Sequence, residues 1–188
     1  MKIRTGMSSK NCGGLVEKDK TLFRDLLLSL WIGMAVLSDE GILEYLKRGE
    51  MKITPFEASC LNPAGYDLRS SSMLVLKPRH YELAASLETV ELGLRVMASL
   101  HIRSSLAREG VAGSFAIVDP GFRGQLTLGL HNVGEKKITI RKGEPMVQIV
   151  FHELGNLARK GYTGSYQNSR GIVRSRRQEC TREDEERN

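Results

Sequence analysis

Long hydrophobic runs are missing from this chain. The most apolar stretch, Leu26 to Leu37, is twelve residues, where a membrane-crossing helix needs about twenty. The residues before it carry Lys18, Asp19, Lys20, Arg24 and Asp25, unlike the basic lead of a signal peptide. The sequence therefore predicts no membrane span and a cytoplasmic location. Cysteine is scarce: Cys12, Cys60 and Cys180 lie far apart with no C-x-x-C pair, which argues against a disulfide framework and a structural zinc site. Neither G-x-x-x-x-G-K-[ST] nor G-x-G-x-x-G occurs, so the helix-borne phosphate loops are excluded. The H-x-E…P-C-x-x-C pattern of zinc deaminases is missing as well. His80, His101, His131 and His152 are isolated, and no two have metal-ligand spacing.

A continuous basic run is also lacking, although the net charge is +6. Residues 1–33 hold six Lys/Arg against three Asp/Glu, and residues 174–188 hold five of each. The excess in the middle of the chain is small, and its arginines sit beside glycines and serines. Such a pattern suits a polyphosphate pocket better than a track for nucleic acid.

What is present divides into three parts. Residues 1–33 form an N-terminal extension, expected to be flexible, with an amphipathic stretch around Leu22–Leu30. A core domain over residues 34–173 follows, and residues 174–188 form a mixed-charge tail without an apolar face, expected to be disordered. Ser38-Asp39-Glu40 supplies an N-cap and an acidic first turn for a short helix ending near Gly49, with Leu43 and Leu46 as its expected buried stripe. From Ile53 to Leu154 short apolar runs are broken by Gly, Pro, Asn and Ser. They include Met73–Leu76, Val90–Ser99, Gly124–Leu130, Lys137–Ile140 and Met146–Phe151. Close-spaced runs of this kind predict a mainly all-β fold, a distorted barrel or jelly-roll-like sandwich, with one short helix near its start.

Four stretches are too polar for that β context. Asn62-Pro-Ala-Gly-Tyr-Asp-Leu-Arg69 places Asp67 just after a tight glycine turn. Ile102-Arg-Ser-Ser-Leu-Ala-Arg108 offers Arg103, Ser104, Ser105 and Arg108. Ala116-Ile-Val-Asp-Pro-Gly-Phe-Arg-Gly-Gln125 opens a Pro-Gly turn with Asp119. Arg141-Lys-Gly-Glu-Pro-Met-Val-Gln148 is a basic turn leading into a strand that carries Gln148. Singly, each has an ordinary structural use, since Asp opens turns and arginines pair with surface carboxylates. Together they supply cations and hydroxyls for phosphate oxygens and carboxylates for a hydrated Mg²⁺, the requirements of a nucleoside triphosphate site.

In this order the stretches P-A-G-Y-D-L, R-S-S-L-A-R, V-D-P-G-F-R-G and K-G-E-P-M-V-Q resemble the superfamily of trimeric dUTP pyrophosphatases and dCTP deaminases. Within it the chain is most similar to the archaeal dUTP pyrophosphatases (dUTPases), through Val36-Leu-Ser-Asp39 at the start and Gly164-Ser-Tyr-Gln167 at the end. The resemblance spans roughly Ala35 to Ser175. It implies a homotrimer with interfacial active sites and a Mg²⁺-dependent cleavage of dUTP to dUMP and pyrophosphate, without nucleic-acid or membrane partners. Carried over by position, Asp67 helps hold water ligands of Mg²⁺, and Arg103, Ser104 and Ser105 grip the phosphates with Arg108 and Gln148 in support. Asp119 orients or deprotonates the attacking water, and Phe122 presses on the deoxyribose. Backbone groups from Ser114 through Leu128 read the uracil, and Tyr166 and Gln167 belong to a C-terminal flap.

Deaminases resembling this chain carry a glutamate in the strand after the hairpin, where this sequence has Gly129, and tend to carry a lysine where Ser165 stands. A Gly-rich, Phe-containing fifth motif of ordinary trimeric pyrophosphatases is missing too. The expectation is thus a dUTP diphosphatase. The alternatives are a dCTP deaminase or bifunctional enzyme and a catalytically silent nucleotide-binding trimer.

Overall fold

A computed structural model describes residues 35–177. The proposed extension over 1–33, with its stretch Leu22–Leu30, and the tail beyond residue 177 lie outside the described residues. No helix among the described residues is long and apolar enough to cross a membrane.

The described residues fold into eleven strands: β1 (Ala35–Val36), β2 (Met51–Thr54), β3 (Leu61–Asn62), β4 (Gly65–Arg69), β5 (Leu74–Leu76), β6 (Tyr81–Leu92), β7 (Val96–Ile102), β8 (Val111–Ser114), β9 (Arg123–Asn132), β10 (Ile138–Ile140) and β11 (Pro145–Glu153). Every strand-to-strand ladder is antiparallel. One sheet runs β1-β11-β4-β3 with β7 on the other edge of β11, a second runs β2-β6-β9-β8, and β5 pairs with β10 alone. The mainly β architecture expected from the sequence is present. Val90–Ser99 is the exception: Gly93-Leu-Arg95 turns the chain there, so the run belongs to two strands in different sheets. Gly93 allows this because a Cβ would sit 2.5 Å from the carbonyl oxygen of Glu50.

The helix Asp39–Arg48 begins where Ser38 accepts from the Gly41 amide and ends at Gly49 in the left-handed region, φ 72°, the usual capping chemistry. Its buried stripe differs from the expected one. Ile42 and Tyr45 are buried and Leu46 packs against the core, whereas Leu43 is 46% exposed. The i, i+3, i+4 spacing from Ile42 defines the inward face.

The core lies between the two larger sheets, where alternate residues such as Leu126, Leu128 and Leu130 on β9 and Val147, Ile149 and Phe151 on β11 are buried. Glu88 is buried in this apolar setting at 0% exposure. Its carboxylate accepts from the Arg69 side-chain Nε at 2.6 Å and from the Arg69 backbone amide at 2.9 Å, so it fastens β6 of one sheet to β4 of the other. The β6–β9 register shifts between Ala85 and Thr89. Across that irregularity Ser86 donates to the Glu88 carbonyl and accepts from the Leu126 amide. No buried side-chain polar atom among the described residues lacks a partner.

Two stability effects follow. Glu88→Ala leaves the partly buried Arg69 guanidinium without its counter-charge and should cost up to about 3–5 kcal/mol, read as a lower urea midpoint. Burial pushes the phenols of Tyr45 and Tyr66 up to about 12, helped at Tyr45 by the Glu153 carboxylate. Because the neutral phenols are favoured in the fold, their stabilisation is complete below about pH 10 and is lost as pH rises toward 12. Urea midpoints measured from pH 9 to 12 should fall over that window, and less steeply in Tyr66→Phe.

Candidate active site

Strand pairing gathers one polar cluster from distant sequence. On β11, Gln148 has Asp67 of β4 opposite it on one side and His101 of β7 on the other. Gly65 makes this possible: β4 approaches β11 so closely there that a Cβ would meet the Ile149 carbonyl oxygen at 2.6 Å. Asp67 is buried, and its Oδ2 forms an ion pair with Arg103 Nε at 2.9 Å. Arg103 keeps 37% of its side chain exposed, so the guanidinium has donors left for a ligand. It is the last residue before the short helix Ser104–Arg108. Ser104, Ser105 and Arg108 are exposed on that helix, which Leu106 anchors in the core.

A second group surrounds a cleft of about 370 Å³. Asp119 is exposed at its rim and buried Phe122 forms part of its wall. Phe122 meets Tyr162 edge-on, centroids 5.8 Å apart. Between them runs the Asp119-Pro-Gly-Phe turn, whose Gly121 has φ 79° and lies where a Cβ would touch the Gly161 Cα at 2.5 Å. Gln125, Leu126 and Thr127 of β9 continue the wall, and Tyr166, Ser169 and Val173 line it from the C-terminal segment.

That segment is strapped to β9 by side-chain amides and hydroxyls. Gln167 accepts from the Arg123 amide at 2.8 Å and donates to the carbonyls of Gly121 at 2.8 Å and Tyr162 at 3.0 Å. Gln125 accepts from the Gly171 amide and Thr127 from the Val173 amide. The side-chain amide of Gln167 is therefore occupied by main-chain groups, whereas Tyr166 faces the cleft and Arg176 lies over its ring at 6.0 Å. Of the sequence-predicted residues, Asp119, Phe122 and Tyr166 share the cleft, and Asp67, Arg103 and Gln148 share the polar cluster with Ser104, Ser105 and Arg108 beside it. Tyr162 and Glu88 escape the sequence reading. Glu88 is one of three acids in Tyr81–Leu92, with Glu82 and Glu91, and nothing in the sequence singles out either it or Tyr162.

Within one chain the two groups sit toward opposite ends of β7. Val118 pairs with Ala98, Asp119 continues away from it, and Arg103 lies five residues beyond Ala98. At about 3.3 Å per residue the strand separates them by roughly 16 Å.

The histidines are less isolated than their spacing suggests. His101 and His152, on β7 and β11, both point Nε2 at the Ser99 hydroxyl, at 3.0 and 2.9 Å. Among the described residues no three His, Cys, Asp or Glu side chains converge as a metal site. One carboxylate oxygen of Asp67 is held by Arg103. That leaves the second oxygen of Asp67 as an acceptor that a metal-bound water could reach.

Residues 70–154 match the family described as dCTP deaminase-like. A dCTP deaminase of Pyrococcus abyssi is 44% identical over 145 residues, covering 69% of this chain and 94% of that protein. A dUMP-forming dCTP deaminase of Aquifex aeolicus is 31% identical over 169 residues, covering 75% of this chain and 94% of its own length. Among solved structures, the 2′-deoxycytidine 5′-triphosphate deaminase of Agrobacterium tumefaciens superposes with a TM-score of 0.56 at 19% identity. That match covers 64% of this chain and 48% of the other, and shows the shared fold.

The strap predicts a local effect. Gln167→Ala leaves three main-chain groups without their partner, at about 1–3 kcal/mol for each one kept from water. Hydrogen exchange of residues 162–173 should accelerate well before that of β9.

Proposed function

The chain belongs to the dCTP deaminase-like family, and from that premise we propose that it hydrolyses dUTP to dUMP and pyrophosphate at sites shared between copies of the chain. The observation that carries this reading is an exposed carboxylate, Asp119, at the rim of a nucleotide-sized cleft walled by Phe122. In this reading it acts with the Asp67–Arg103 cluster of a neighbouring copy.

In the proposed reaction water attacks the α-phosphorus. The new P–O bond forms as the bond to the bridging oxygen of pyrophosphate breaks, and the water proton passes to Asp119. A base must lie within hydrogen-bond reach of the water, and the phosphate oxygens need cations through the transition state. Arg103 supplies a fixed charge, oriented by Asp67, and the hydroxyls of Ser104 and Ser105 supply donors. Arg108 and Gln148 stand in support. Phe122 packs on the deoxyribose, where a 2′-hydroxyl would crowd the ring, and Tyr166 covers the cleft from the C-terminal segment. Mg²⁺ on the triphosphate would neutralise phosphate charge, with Asp67 positioned toward its water shell.

Ala98, bridged to Val118 beside Asp119, lies roughly 16 Å along β7 from Arg103, a backbone separation that favours drawing the two groups of one site from different copies. A homotrimer with interfacial sites fits that arrangement and agrees with the motif resemblance.

A second reading, dCTP deamination, is favoured by the names of the Pyrococcus and Aquifex relatives, and the dUMP-forming name joins the two chemistries. Against it stands Gly129, which has no side chain to move a proton. A Cβ at that position would lie 2.3 Å from the Tyr81 hydroxyl oxygen, and no acid occurs between Asp119 and Glu135. Ordered backbone groups that suit the N3–H and O4 of uracil also leave the reversed pair of cytosine unmatched, at about 1–3 kcal/mol per buried group.

Incubation with dUTP and with dCTP in the presence of Mg²⁺, followed by product separation, decides between them. The expected result is dUMP and pyrophosphate from dUTP and no ammonia from dCTP. Ammonia release at a rate near that of dUTP cleavage would establish the second reading, and no turnover of either substrate would leave a binding protein. Asp119→Asn should reduce turnover on the order of 10²–10⁴-fold while retaining dUTP binding. Arg103→Ala should raise KM and lower kcat together, since it removes a charge-assisted phosphate contact.

A further inference from the structure

Gln125 and Thr127 of β9 share one face of the strand and both line the cleft, and the next residue on that face is Gly129, about 7 Å further along. Gly129 has Leu83 of β6 opposite it on one side and Ser114 of β8 on the other. Tyr81, two residues before Leu83, is its diagonal neighbour, a relation across which aromatic side chains reach. The phenol end of Tyr81 fills the space above Gly129. The hydroxyl oxygen is 2.3 Å and two ring carbons are 2.9 Å from where a Cβ would stand. Tyr81 is nevertheless 54% exposed, and its hydroxyl has no hydrogen-bond partner among the described residues. A glycine on the cleft-facing side of the strand thus delivers a polar atom from a neighbouring strand to the position its own side chain would have taken.

We propose that the Tyr81 hydroxyl is a substrate-contacting group that donates a hydrogen bond to a carbonyl of the pyrimidine base. The inference rests on the proposed nucleotide site. Phe122 and Asp119 mark the sugar and phosphate end of the cleft, and β9 leads from there past Thr127 to Gly129, so the base lies toward Tyr81. A phenol fixed against a glycine loses little freedom on binding and offers a donor where uracil has a carbonyl. Covering a glycine in a strand is also a purely structural use of an aromatic ring, and the test must separate the two uses.

Tyr81→Phe keeps the ring over Gly129 and removes only the hydroxyl. Binding of a non-hydrolysable α,β-imido analogue of dUTP, measured by calorimetry, should weaken roughly three- to tenfold. The melting temperature and the affinity for inorganic triphosphate should stay as in the wild type. Gly129→Ala should weaken the analogue similarly by displacing the phenol, and the double variant should lose less than the sum of the two, as expected for residues acting through one contact. Unchanged analogue affinity in Tyr81→Phe, with the wild type binding normally, would overturn the assignment of Tyr81 alone. A wild-type protein that fails to bind the analogue would overturn the nucleotide site and this inference with it.

Discussion

Strand β7 holds two chemically complementary groups apart. Its N-terminal half is bridged to the Val118 segment through Ala98, and its C-terminal end delivers Arg103 to Asp67 on β4. A strand hydrogen-bonded to β11 along its whole length cannot shorten, so the roughly 16 Å between the two ends is a rigid quantity. In the proposed reaction the base and sugar wall stand toward one end of that strand and the phosphate-binding groups toward the other. The proposed chemistry favours self-association, and the closed symmetric assemblies usual for identical chains would supply it.

The rest of the fold keeps those two ends in register. Arg69 and Glu88 lock β4 to β6, so the strand that carries Asp67 is tied to the sheet that carries the cleft wall. Such a buried pair contributes little net stability compared with apolar residues of the same size, yet breaking half of it is costly. The C-terminal segment adds the remaining wall. It is held by Gln125, Thr127 and Gln167 through hydrogen bonds instead of apolar packing, while Tyr166 stays 38% exposed.

The β architecture is legible because its signals are local: short apolar runs, turn residues between them, and Ser38 and Gly49 at the ends of one helix. The stripe of that helix is less legible, since Leu43 is as apolar as Ile42 and only packing decides which faces inward. Val90–Ser99 reads as one strand because Gly93 looks like a weak interruption, although contact with Glu50 makes it a turn. Asp67, Arg103, Asp119 and Gln148 stand out as polar residues in a β sequence, but their division into two groups depends on sheet register. Register likewise brings His152, 53 residues away in sequence, to the Ser99 hydroxyl that His101 meets from the same strand. Tyr81 is invisible for the same reason, as its place over Gly129 is a diagonal cross-strand relation.

Mixing two inactive variants tests most directly whether the site is shared between copies. Asp119→Asn and Arg103→Ala chains, each assayed alone with dUTP and Mg²⁺, should be nearly inactive. Co-folded in equal amounts, they should recover roughly one quarter of wild-type activity, the fraction of interfaces that join an intact Asp119 to an intact Arg103 in a randomly mixed cyclic oligomer. A co-folded mixture no more active than the two variants assayed separately, with mixed oligomers demonstrated by mass, would contradict a shared site.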